Sequence, residues 1–253
     1  MALITAGAVL IGIVAIAASL LLNQPPSAAH LVALAEPAPA SLASGMALGS
    51  AAAKVTVDVY ADYQCPNCRA YAEQVEPRLV NQYVRPGSAR MVFHDLAFLG
   101  TGSDPAKNES IQAAVAARCA EDQGRFWSYQ EYLFANQGPA ENGGTYNRTL
   151  FDAIAERIGI NRTTFDSCIA DPVQAKAVQS DTAAALQAGI HQTPTLIVNG
   201  TTLGSWGLQA VSAAIDAALA GAGPGPSAAS SAGPSSRPSS VPSPTPQVTP
   251  APS

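Results

Sequence analysis

Cys65 and Cys68 stand two residues apart in the run Asp62-Tyr63-Gln64-Cys65-Pro66-Asn67-Cys68. At the opening of a helix, Cys68 lies one turn beyond Cys65, close enough to close a small, readily reduced ring. A cysteine at a helix N-terminus faces unpaired backbone N–H groups and the positive end of the helix dipole. Both favour thiolate over thiol, and thiolate is the form that attacks disulfides. The chemistry such a pair supports is thiol–disulfide exchange. The same residues also read as a structural disulfide or as half of a metal site. A zinc site needs about four ligands at short spacing. Beyond the pair there are only Cys119, Cys168 and three scattered histidines, so no metal is expected.

The elements that position the pair follow from periodicity. Lys54–Tyr60 alternates, with Val55, Val57 and Val59 on one face, and is expected as a strand leading to the cysteines. A helix should run from Cys65 through Val75, kinked rather than ended by Pro77. Pro86-Gly87 is a turn, and Arg90–Phe98 is expected as a second strand. Asp104-Pro105 can cap and start a helix through Ile111 and Cys119. Further helices are expected over the aromatic segment Phe126–Phe134 and over Thr149–Ile158, Thr163–Ile169 and Val173–Ala188. Thr195–Val198 and Thr201–Leu203, joined at Asn199-Gly200, form a hairpin, and Leu208–Leu219 a closing helix. The fold class is therefore α/β with an inserted helical subdomain.

The chain has 253 residues, but its two ends are unlike a core. Residues 1–23 hold an uncharged apolar run, Ala2–Leu22, about the ~20 residues a membrane-crossing helix needs. An uncleaved anchor, a cleaved signal segment and a buried helix all fit it. The first basic residue is Lys54, so charge gives no orientation. Residues 24–51 are expected as a flexible tether. Residues 221–253 are a Pro/Ser/Gly/Ala-rich tail, too poor in apolar surface to offset the entropy of ordering. One domain over 52–220 remains, with the helical insertion at about 102–188. Net charge is −5 with no basic cluster, which argues against a nucleic-acid partner. Four cysteines, an even number, fit an oxidising compartment.

Three stretches then carry a resemblance: the run Asp62–Cys68, the segment Ala117–Trp127 (ARCAEDQGRFW) and Gly189–Gly200 (GIHQTPTLIVNG). On these the chain resembles the DsbA-like branch of the thioredoxin superfamily, in exported or membrane-anchored form. The resemblance implies a thioredoxin fold with a helical insertion, and a dithiol oxidase using a redox-active disulfide and no cofactor. It implies exported thiol-containing protein substrates and a quinone-linked reoxidising partner in the membrane, DsbB-like or VKOR-like. Location would be the cell membrane, single-pass, with the domain outside, or secreted or periplasmic if the leader is cleaved. Two alternatives stay open: a reductase or isomerase for particular exported proteins, and a non-catalytic binding or chaperone-like thioredoxin fold.

By the same resemblance Cys65 is the nucleophile that carries the mixed disulfide, and Cys68 resolves it. Pro194 is the match of the family's cis-proline, and the backbone of Thr193 would pair with a bound peptide. Pro66 and Asn67 tune the pair. The best-known oxidant of the family has histidine where Asn67 stands, so a milder oxidant is expected. Relatives often carry a buried acid six residues before the first cysteine. Here that position is Val59, and alternation points its neighbour Asp58 to the opposite face. Asp62 is expected to make a turn or cap contact. His191 could lie near the thiols or be an exposed loop residue. Cys119 and Cys168 are expected to form a structural disulfide within the insertion, as in relatives with such a pair; two free buried thiols are the alternative.

Overall fold

The computed structural model describes residues 31–221, so the expected anchor and all but the first residue of the tail lie outside the described residues. Among the described residues, no helix is long and apolar enough to cross a membrane. Six strands form one sheet: β1 (Ala43–Ser44), β2 (Ala47–Leu48), β3 (Val55–Ala61), β4 (Ala89–Asp95), β5 (Thr195–Val198) and β6 (Thr201–Thr202). Their spatial order is β1-β2-β4-β3-β5-β6. β3 and β4 are parallel, whereas β5 pairs with β3 antiparallel.

The alternation in β3 fixes which way the sheet faces. Val57 lies beside Met91 and Val198, and Val59 beside Phe93 and Leu196. All six side chains are buried on one face. The intervening residues, Asp58 and Tyr60, point the other way and meet His94: its Nε2 lies 2.8 Å from Asp58, and its ring stacks on Tyr60.

The parallel β3–β4 pair requires a crossover, which the cysteine-bearing helix supplies. Helix α1 (Pro66–Gln74) breaks at Val75, and α2 (Glu76–Leu79) continues into a π-helical turn at Val80–Val84. The expected kink at Pro77 is thus present. Proline lacks an N–H, and its ring crowds the carbonyl four residues back, at Glu73.

Five helices lie between β4 and β5: α3 (Glu109–Glu121), α4 (Phe126–Ala135), α5 (Arg148–Arg157), α6 (Arg162–Ala170) and α7 (Pro172–Gln187). Helix α8 (Leu208–Leu219) follows β6 and packs on the sheet. α3 is the hub of the insertion. Ala113, Ala114, Ala116 and Ala117 are all buried, because alanine lets neighbouring helices approach from every side. Arg118 on α3 bridges Asp95 at the end of β4 and Asp181 on α7, each at 2.6 Å. A disulfide joins Cys119 on α3 to Cys168 on α6, across 49 positions of sequence.

Three expectations need correction. The cap of α3 is Asn108, whose Oδ1 accepts from the Ile111 N–H; Asp104 instead caps a separate 3-10 turn at Pro105–Lys107. The second long strand stops at Asp95 rather than Phe98, because the next donors are taken by side chains. The Ala97 N–H goes to Thr182 Oγ1 and the Leu99 N–H to Asp62 Oδ2. Most consequential, the later part of the expected tether is built into the domain. β1 and β2 form a hairpin on the β4 edge, turning at Gly45, where φ is +60°. A Cβ there would sit 2.6 Å from Glu121 Oε1. Leu48 is fully buried, and the Trp127 indole N–H donates to the Ala47 carbonyl. An Ala/Gly/Ser-rich composition reads as a linker, yet here it lets the chain lie close against a sheet edge.

Candidate active site

Cys65 is the N-cap of α1, with φ −72° and ψ 119°, and Pro66 follows at the first helical position. Proline there costs nothing, because its missing N–H would have had no helical partner. The turn before it closes through the Cys65 N–H, which donates to the Asp62 carbonyl. Cys65 is 5% exposed and Cys68 is fully buried, both as free cysteines, while Pro66 and Asn67 face solvent.

The two sulfurs are driven in opposite directions. Cys65 is lowered from 9.0 to about 6, chiefly by a hydrogen bond from the Cys68 thiol. Burial opposes this; the Thr193 side chain and the backbone N–H groups of Cys68 and Asn67 reinforce it. Cys68 is pushed well above 9.0, first by burial and then by its interaction with Cys65. Cys65 is thus favoured as thiolate and Cys68 as thiol.

The loop before β5 closes over the pair. The Thr193–Pro194 peptide is cis, Pro194 is buried, and the Cys65 sulfur lies 3.3 Å from the Thr193 carbonyl oxygen. His191 is exposed and makes no hydrogen bond or ion pair to the thiols.

Much of the support comes from residues without a sequence signature. Gln137, just after α4, donates its amide to the carbonyls of Tyr63 (2.6 Å) and Cys65 (3.0 Å). The Tyr146 hydroxyl also donates to the Tyr63 carbonyl, at 2.6 Å. Gln64 donates to Ser110 Oγ on α3 and accepts from the Asn142 N–H. The helical insertion thus grips the cysteine loop from behind, through residues 72 to 83 positions away in sequence for Gln137, Asn142 and Tyr146. Spacing carries no hint of such contacts. The buried acids Glu76 and Glu131 were also illegible. Glu76 sits in a helix pattern that gives charge no obvious partner, yet burial and Glu131 raise it to about 8.

Val59 lies in the core, and Asp58 is on the opposite face of the sheet, so neither supplies an acid to the thiols. Among the described residues, no group of three or more His, Cys, Asp or Glu is placed to hold a metal ion.

The fold and cysteine geometry agree with a family comparison: a model described as thioredoxin matches residues 41–217. The chain belongs to the thioredoxin family. Its likeness within the family is to DsbA-like proteins. It is 28% identical over 152 residues to the disulfide bond formation protein D of Bacillus subtilis, covering 60% of this chain and 66% of that one. The oxidised BdbD structure from the same organism has a TM-score of 0.60 at 23% identity, covering 74% and 98% of the two chains. The reduced DsbG disulfide oxidoreductase of Mycobacterium tuberculosis has a TM-score of 0.54 at 26% identity, covering 72% and 92%. Other curated relatives are longer: this thioredoxin-family chain spans 24% of a Na(+)/H(+) antiporter NhaA of Salinispora tropica, to which its matched part is 32% identical.

Proposed function

We propose that this chain is an extracytoplasmic thiol–disulfide oxidoreductase that introduces disulfides into exported proteins. The observation that carries this reading is the opposed pair of thiols, Cys65 lowered to about 6 and Cys68 pushed well above 9.0. A stabilised Cys65 thiolate favours the reduced enzyme, and an enzyme that prefers to be reduced oxidises its substrates. The names of the Bacillus and Mycobacterium relatives support the same chemistry.

In the oxidising direction, a substrate thiolate attacks Cys65 of the Cys65–Cys68 disulfide. Cys68 leaves and is protonated, and a mixed disulfide stands on Cys65. A second substrate thiolate then displaces Cys65, which departs as thiolate. In the reverse direction Cys68 attacks the mixed disulfide and resolves it. The Thr193 backbone holds the substrate extended beside Pro194, and Pro66 and Asn67 set the strength of the pair. A quinone-linked membrane protein reoxidises the enzyme. Residues 1–23 serve as a membrane anchor or as a cleaved signal segment.

Asn67 argues for moderation. It is neutral and exposed, and so adds no cation beside the thiolate. The site is accordingly a milder oxidant with some isomerase or reductase capacity. Equilibration of the full chain with glutathione tests this. A potential well above the roughly −270 mV of thioredoxin is expected, and a value near it overturns the oxidase reading in favour of a reductase. Mass spectrometry of proteins trapped on Cys68→Ser should return exported thiol proteins. Retention of biological function by Cys65→Ser would instead support a non-catalytic binding role.

A further inference from the structure

Taking Cys65 and Cys68 as the redox pair of the reading above, we propose that the strap of residues 31–39 is a positioning element of that site: seated on Asn136, it fixes the next residue, Gln137, and through Gln137 the carbonyl of Cys65. The strap has no helix or strand of its own and runs over α4 and α2 before the β1–β2 hairpin. Near its end, the Ala38 N–H donates to Glu131 Oε1 on α4. Six residues earlier, the Val32 N–H donates to Asn136 Oδ1 at 3.0 Å, and Asn136 Nδ2 donates back to the Val32 carbonyl at 2.8 Å. Glu131 and Asn136 are five residues apart, about 7.5 Å along a helix, whereas six extended strap residues span about 20 Å. The strap therefore arches between these two holds. Glu36, part-way along the arch, accepts from Asn81 Nδ2 at 2.8 Å. Beneath the arch is a cavity of about 230 Å³, lined from the other side by Ala72 and Glu76.

The end of α4 joins the strap to the thiols. Asn136 and Gln137 are neighbours, and each donates from its side-chain amide to two backbone carbonyls. Asn136 Nδ2 donates to Val32 and, at 2.8 Å, to Tyr132, so one side chain pins the strap to the last turn of α4. Gln137 Nε2 donates to Tyr63 and to Cys65, on either side of Gln64. The Gln137 carbonyl accepts from Arg69 Nη1 at 3.4 Å, and Arg69 directly follows Cys68. Beyond a helix C-terminus no further turn holds the chain. Gln137 therefore keeps its place only as well as Asn136 does, and the paired Val32 bonds supply that hold. Hydrogen bonds and one peptide bond lead from Val32 to Cys65 without a gap.

The effect on the chemistry follows from the cap. Cys65 is the N-cap of α1, and the N–H groups of Asn67 and Cys68 support its thiolate. They point at the sulfur only while the Cys65 backbone stays extended, at φ −72° and ψ 119°. Gln137 holds that geometry by tying the Cys65 carbonyl to the Tyr63 carbonyl across the turn. Once the carbonyl is loose the cap can rotate, the N–H groups lose their aim, and the thiolate becomes harder to form. A less stable thiolate is a poorer leaving group, so an unseated strap makes a weaker oxidant. The segment through which the expected anchor joins the domain thus bears on the strength of the redox pair. Asn136 and Gln137 are positioning residues rather than catalytic ones.

Alkylation of Cys65 by iodoacetamide in the reduced full chain, measured across pH 4–9, tests this. Val32→Pro removes the strap's N–H donor and leaves Asn136, Gln137 and the cysteine loop as they are. Its Cys65 titration should move up, and a rise of half a unit from about 6 slows alkylation at pH 6 about twofold. Asn136→Ala should act in the same direction. Gln137→Met keeps the side-chain length without a donor and should act at least as strongly. Because the strap works through Gln137, Val32→Pro should add nothing in a Gln137→Met background. An unmoved pH profile in Val32→Pro overturns the proposal, as do additive effects in the double variant. A strap that only adds stability would lower the urea midpoint of Val32→Pro and leave its pH profile in place, which also overturns it. Val32 is 58% exposed, so its variant leaves the core undisturbed and decides the matter even where Asn136→Ala or Gln137→Met fails to fold. An empty Cys68→Ser trap would overturn the activity reading while leaving these titrations unchanged.

Discussion

The Cys65 sulfur lies 3.3 Å from the carbonyl oxygen of Thr193, a residue 128 positions further along the chain. Strand β5 sets that distance by pairing with β3, which also leads into the cysteine loop. One sheet register therefore decides both where Cys65 sits and what stands beside it.

Thr193→Val should remove a hydroxyl that helps hold the Cys65 thiolate. The Cys65 titration should move up, and alkylation at pH 6 should slow about fivefold if the rise is near one unit. Stopped alkylation across pH 4–9 measures it. An unchanged profile would remove Thr193 from the tuning of the site.

Reduced and oxidised forms should differ in stability with pH. The Cys65 thiol is an acid lowered in the fold from 9.0 to about 6. Its contribution is fully present above pH 9.0 and is lost as pH falls through about 6. The reduced form should therefore gain on the oxidised one by about 1.4 kcal/mol per pH unit across that window. Paired thermal or urea melts in each redox state report the gap; a gap independent of pH contradicts the lowered thiol.

Glu76 works with the opposite sign. Burial first, and then Glu131, raise its carboxyl from 4.5 to about 8. The folded state binds a proton that the unfolded state gives up, so stability falls as pH rises from 4.5 toward 8. Glu76→Gln should raise the urea midpoint at pH 8 and change it little at pH 4.5. The difference should be on the order of 1–3 kcal/mol. Equal effects at both pH values would show that the carboxyl is ionised throughout.

The Cys119–Cys168 bond ties α3 to α6. Removing both as serines should cost about 4 kcal/mol in the chain-entropy model for a loop of about 50 residues. Denaturation should shift accordingly, while the Cys65 titration stays in place. A moved titration would mean that the disulfide reaches the site through α3 and Ser110.

The cysteine pair, the strand before it, the kinked helix after it and the hairpin near Pro194 were all legible in the sequence. Each depends on local rules: alternation in Val55–Val59, proline stereochemistry at Pro77, and turn chemistry at Asn199-Gly200. The Cys119–Cys168 pairing was foreseen by family resemblance, not by any local rule. Tertiary structure decided what surrounds the pair. Gln137, Tyr146 and Asn142 reach the cysteine loop only because the insertion folds back on it. Ala43–Leu48 becomes sheet rather than linker because β4 offers an unpaired edge. Asp62 could be read from the sequence as a turn residue. Its burial depends on donors from Ser110 and Leu99 that only the assembled fold brings within reach.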